Sequence, residues 1–131
     1  MNKDYVTRNE FNTQMAKVER VEVIYDIYRD DIDDFGYPDG FYNNTITKDV
    51  SKYKYLKFYV DNCTIVSCRV GGLARQLTQA YNLGSTGSRF VYGVRIHVTP
   101  NDFTFTSFNS QGTEDVEGIE WIRVIKIEGV Y

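Results

Sequence analysis

The stretch Tyr53-Lys54-Tyr55-Leu56-Lys57-Phe58-Tyr59-Val60 decides the fold. Successive side chains of an extended chain point to opposite faces, so Leu56, Phe58 and Val60 share one side and Tyr55, Lys57 and Tyr59 the other. An apolar face backed by an amphipathic one is the pattern of a half-buried strand. Asp61-Asn62 then turns the chain into Cys63 to Val70, which predicts a hairpin.

The same period recurs on both sides of this hairpin. Upstream, Val21, Val23, Tyr25 and Ile27 alternate with Glu22, Ile24, Asp26 and Tyr28. An acidic loop follows from Arg29 to Gly40, with Tyr37-Pro38-Asp39-Gly40 as its turn, and Phe41 to Thr47 is a further short strand. Downstream, Gly71-Gly72 marks a bulge or bend. Leu73 to Leu83 fits two periods: Leu73, Leu77 and Tyr81 share a helical face, and together with Leu83 they also share strand parity. Strand is favoured, because Gly84-Ser85-Thr86-Gly87-Ser88 then reads as a hairpin loop into Arg89 to Thr99. In that strand Val94, Ile96 and Val98 form the apolar side. Phe103 to Phe108 is another strand. Ile119 to Ile127 closes the chain, with Ile122 and Val124 on one face and Trp121, Ile125 and Ile127 on the other. A strand apolar on both faces is central or sandwiched, which predicts Ile125 in the core. About eight strands with turns between them and no βαβ rhythm predict an all-β fold, a jelly-roll-like β-sandwich with a barrel as the alternative.

The N-terminal segment has a different period. Thr7-Arg8-Asn9-Glu10 matches a capping box, and Phe11, Met15 and Val18 follow at spacings of four and three, on one face of a short α-helix. A helix of about twelve residues is marginal alone in water, so that face must be covered. It either lies on its own sheet or meets copies of itself along a coiled-coil seam. The expected organisation is a leader and short neck helix over 1–19 and a β-sandwich head over 20–131.

Composition supports one folded β domain. The 131 residues suit a single core, and eleven Tyr and eight Phe against two Pro fit pleated surfaces. A net charge of −3 argues against nucleic acid as a partner, because phosphate neutralisation needs a basic face. No apolar run is long enough to span a bilayer, and the start Met-Asn-Lys-Asp-Tyr lacks a secretion signal, so synthesis in a cytoplasm without membrane insertion is expected. Cys63 and Cys68 stand five apart, on opposite faces of one strand, and read as free buried thiols rather than a disulfide.

Few residues offer chemistry. His97, the single histidine, falls beside Arg95 and Thr99, opposite the apolar side, and reads as a surface or structural histidine. One histidine and two badly spaced cysteines do not make a zinc site. Asp31-Ile32-Asp33-Asp34-Phe35-Gly36 faintly resembles a calcium loop, but Phe35 and Tyr42 stand where oxygen ligands are needed. The expectation is therefore no metal, no cofactor and no catalytic residue. Tyr37, Phe41, Tyr42, Tyr53, Tyr55, Tyr59, Tyr92 and Trp121 are a rich aromatic supply. They can pair across strands or stack on sugar rings and anchor a protein interface. Tyr37, Asp39 and Tyr42, around the acidic loop, are the candidate ligand contacts.

The order of these segments resembles bacteriophage fibre and receptor-binding head-domain proteins of the virion. The likeness is carried by the leader and helix Tyr5-Val6-Thr7-Arg8-Asn9-Glu10-Phe11, by Ser51 to Val60, by Arg95-Ile96-His97-Val98-Thr99, and by the ending Trp121 to Tyr131 with its Ile125-Lys126-Ile127-Glu128-Gly129. The resemblance implies a non-enzymatic homotrimer whose neck is Phe11, Met15 and Val18, located in the virion among other virion proteins. It implies attachment to a host-surface glycan or protein. This chain departs from the family in being short; if it is complete it has no long shaft, and the expectation is then a fibre tip, a head or tail fibre subunit, or a capsid decoration protein without receptor binding. A free carbohydrate-binding module is the other reading.

Overall fold

The computed structural model describes residues 19–32, 35–61, 63–83, 88–111 and 114–131; of 79–83, 88–90, 111 and 114 it describes the backbone alone. Among these residues nine strands run in the order β1 Val21–Asp26, β2 Asn43–Thr47, β3 Tyr55–Val60, β4 Ile65–Arg69, β5 Leu73–Leu83, β6 Ser88–Val98, β7 Asp102–Gln111, β8 Glu114–Glu117 and β9 Val124–Val130. They form two antiparallel sheets. Sheet A has the order β1-β9-β3-β4, and sheet B the order β2-β7-β6-β5 with β8 also on β7. The all-β sandwich expected from the alternation is present. The helix expected before Glu19, with its neck residues Phe11, Met15 and Val18, lies outside the described residues.

Alternation places the core between the sheets. Leu56, Phe58 and Val60 of β3 face Val94, Ile96 and Val98 of β6 and Phe103 and Phe105 of β7, all of them buried. An aromatic series fills the centre. Phe58 lies 5.6 Å from Phe103 and 6.1 Å from Phe105, and Phe41 meets Tyr25 at 5.3 Å. Phe35, from the acidic loop, folds back to stack on Tyr25 at 5.4 Å. Each such side chain contributes about 1.5–3 kcal/mol by leaving water, and offset or edge contacts between rings add to this.

Gly71, at φ +85°, carries the chain from β4 in sheet A to β5 in sheet B, a conformation that a side chain disfavours. Its N–H donates to Val98 O at 2.7 Å, and Gly72 O accepts from Val98 N at 3.1 Å. The bend expected at the glycine pair is thus tied directly to β6. On the far edge of sheet B, β2 pairs with the first half of β7 and β8 with the second half. Ser107, fully buried, closes the gap between them. Its Oγ accepts from Ile119 N at 2.8 Å and lies 3.0 Å from Tyr42 O and 3.1 Å from Ile119 O, to one of which it donates.

Four sequence expectations need correction. Strand β9 begins at Val124, not at Ile119, because Ile122 N bonds back to Ile119 O in a turn. Ile125 is only partly buried: the ladder with β3 shifts between Tyr59 and Val60, which rotates Ile125 out and leaves Val124 and Ile127 as the core residues. The β3–β4 turn is longer than Asp61-Asn62, since Val60 N reaches Thr64 O at 2.8 Å. Cys63, at φ +68° in that turn, is exposed, and only Cys68 is the buried free thiol expected.

Candidate functional site

The outer face of sheet B carries the most developed surface site. The register places its side chains in three rows across the strands. Leu73, His97, Thr104 and Thr45 form the first, Arg75, Arg95, Thr106 and Asn43 the second, and Leu77, Gly93, Phe108 and Glu117 the third. A groove of about 490 Å³ opens over the first two rows, within the range of small-ligand sites.

The third row explains how the second is held. Phe108 points away from the core yet is fully buried. It lies over Gly93, where an added Cβ would stand 2.6 Å from the ring and 2.7 Å from Gln76 O. The guanidinium groups of Arg75 and Arg95 cover the ring at 4.6 and 5.5 Å from its centroid. Glu117 then reaches across to Arg95 as an ion pair. Arg75 makes no ion pair among the described residues. Arg95 Nε is buried without a hydrogen-bond partner there.

Two cations directly opposite one another on neighbouring strands repel. The negative face of the Phe108 ring and the Glu117 carboxylate offset part of that repulsion. One positive charge is left over on a protein whose net charge is −3. The first row adds hydroxyls: Thr104 and Thr45 are joined Oγ1 to Oγ1 at 2.8 Å. Leu73 stands 80% exposed at the lip of the groove and supplies an apolar edge.

The outer face of sheet A is also polar, but its groups are matched. Tyr59 donates to Glu128, and Lys126 lies 4.0 Å from the same carboxylate and 5.1 Å from the Tyr59 ring. Lys57 pairs with Glu19, to which Tyr55 also donates at 2.9 Å. These bonds hold the Glu19 carboxyl below the usual carboxylate range, Lys57 contributing most, and the bond to Glu128 raises the Tyr59 phenol.

The candidate contacts near the acidic loop are dispersed among structural roles. Tyr37 packs on Phe41 at 5.4 Å; its hydroxyl accepts from Asn44 at 3.0 Å and its carbonyl from Tyr25. Tyr42 lies under the Arg123 guanidinium at 5.0 Å, and Asp39 is exposed in the turn that Gly40 N closes onto Tyr37 O. None of the three lines the sheet-B groove. In the loop itself Asp31 pairs with Arg29 at 3.0 Å, while Asp33 and Asp34 lie outside the described residues. Among the described residues, no group of three or more His, Cys, Asp or Glu is placed to hold a metal ion, and no helix is long and apolar enough to cross a membrane.

Alternation in the sequence located His97 and Arg95 on the outer side. Arg75, Thr104, Thr106 and Phe108 carry no local signal, because Arg75 belongs to β5 and the other three to β7, and only the register brings them together around Arg95 of β6. Gly93, a glycine inside an otherwise β-branched and aromatic run, was the one local signal. Comparison with family models, with curated proteins and with solved structures found no match to this chain.

Proposed function

We propose that this chain is a non-enzymatic attachment protein of a phage particle, a fibre tip or fibre subunit that trimerises and binds a host surface. The supporting observation is the outer face of sheet B. Its groove is lined by Arg75, Arg95, Thr104 and Thr106 on hydrogen-bonded strands. Guanidinium groups present a planar fork of N–H donors and no acceptor, so they suit binding and orienting an anionic or polar ligand. Strands fix the spacing of these donors, which lowers the entropy lost on binding. The jelly-roll-like reading of the head belongs to this proposal and rests on β1, β2 and β3 alternating between the sheets.

The trimer rests on Phe11, Met15 and Val18. Three copies of a modest site act together through effective concentration, which suits a weak surface groove. Mass measurement in solution should give a trimer, weakened by Phe11→Asp with Met15→Asp while the head still folds. Microscopy of intact virions with a labelled chain should locate it on a fibre or capsid vertex. A monomer at high concentration that is absent from virions would leave the free carbohydrate-binding module as the better reading.

A further inference from the structure

We infer that the groove on the outer face of sheet B recognises a carboxylate-bearing saccharide, with Arg75 as the carboxylate anchor. The inference rests on the proposed binding role and narrows its ligand class. Three observations carry it. First, Arg75 and Arg95 are direct cross-strand partners, and among the described residues only Arg95 has an acidic partner. A stable surface would place opposite charges across the strands, so the arrangement lacks one anion. Second, the Arg75 guanidinium is pre-oriented by its contact with Phe108, 4.6 Å from the ring centroid. A planar fork held in place matches a carboxylate with two parallel N–H···O bonds and little further loss of freedom. Third, the first two rows present hydroxyls to the groove, namely Thr104 and Thr106 of β7, with Thr45 bonded to Thr104 on the adjoining strand.

This last feature separates a sugar from an acidic peptide. Hydroxyls that donate and accept match ring hydroxyls on the ligand. A strand-adding peptide is captured by main-chain bonds at a free sheet edge, and an acidic motif by an arginine cluster. The groove runs from the edge strand β5 across β6 to β7 and presents side chains over the sheet face, so the threonine hydroxyls are what favour a sugar. Glu117 is part of the site, because it holds Arg95 against Phe108 and leaves Arg75 as the open cation.

The test is titration of the full chain, followed by NMR chemical shifts, with glucuronic acid and N-acetylneuraminic acid against glucose and N-acetylglucosamine. A short oligoglutamate is the peptide control. The acidic sugars should shift resonances of β5, β6 and β7, and raising the salt concentration should weaken them. Arg75→Gln should lower their affinity at least tenfold with an unchanged melting temperature. Thr104→Val should weaken them less. If neutral sugars bind equally well and ignore Arg75→Gln, the inference fails while the binding role survives. If oligoglutamate binds the same face more tightly, the saccharide assignment fails. If none of the sugars binds, the inference is overturned, and the virion experiment judges the attachment role separately.

Discussion

The outer faces of the two sheets are built from the same kinds of residue and end in different states. On sheet A, Lys57 and Lys126 pair with Glu19 and Glu128, and Tyr55 and Tyr59 donate to the same two carboxylates. Glu128 is 8% exposed and fully engaged. On sheet B, Arg75 and Arg95 are stacked side by side over a buried ring, and one carboxylate, Glu117, pairs with Arg95. The first face is finished as it stands. The second has a charge to spare and a groove above it. Sheet A pairs its charges internally, whereas sheet B sets two arginines side by side with one paired carboxylate, an arrangement that the proposed acidic ligand would complete. Local rules broken with only partial internal compensation are where binding sites are expected.

Removing Phe108 tests this contrast most severely. Phe108→Ala should cost about 3–5 kcal/mol, as for a core ring, because Gly93 leaves nothing to fill the space. Urea unfolding would read it, and a loss under about 1 kcal/mol would mean that the arginines rest on the sheet without the ring. Gly93→Ala comes next. Its Cβ meets both the ring and the Gln76 carbonyl, and the carbonyl belongs to a paired strand that cannot easily move. A loss of about 1–3 kcal/mol is expected, with Arg75 displaced in the NMR spectrum.

Sheet A should respond more gently. Tyr59→Phe removes the donor to Glu128 and should cost about 1 kcal/mol in thermal unfolding. Acid gives a smaller effect with a definite sign. Hydrogen bonds to Lys57 and Tyr55 hold the Glu19 carboxyl low, and bonds to Tyr131 and Lys52 do the same for Glu22. A carboxyl lowered by folding adds stability above its unfolded value and loses it as pH falls through the folded one. Hydrogen-exchange protection in β1, taken relative to the intrinsic rate at each pH, should therefore fall as the pH drops below the ordinary carboxylate range. Glu19→Gln with Glu22→Gln should flatten that response, while β5 and β6 stay unchanged. The smallest effect is on sheet B itself. Arg75→Gln should leave stability within about 0.5 kcal/mol, since the contact it loses on Phe108 is offset by relief of its repulsion from Arg95.

Period-two alternation by itself determined much of this protein. Leu56, Phe58 and Val60 against Tyr55, Lys57 and Tyr59, and Val94, Ile96 and Val98 against Arg95 and His97, fall on the sides the pattern assigns. The reason is local: a strand's geometry alone sends neighbouring side chains to opposite faces. The pattern misled where one residue was inserted into a ladder. At Ile125 the shift against β3 turned an expected core residue outward, and between Leu77 and Gln79 a similar shift breaks the parity assumed from Leu73 to Leu83. Such irregularities depend on the partner strand. The candidate site was less legible still. Arg75, Arg95, Phe108 and Glu117 are up to 42 positions apart in the chain, and no spacing rule links them. Only the tertiary register of β5, β6, β7 and β8 sets two arginines side by side over a ring that a glycine admits, because strand pairing is a contact between distant segments whose partners the chain's own periodicity does not name.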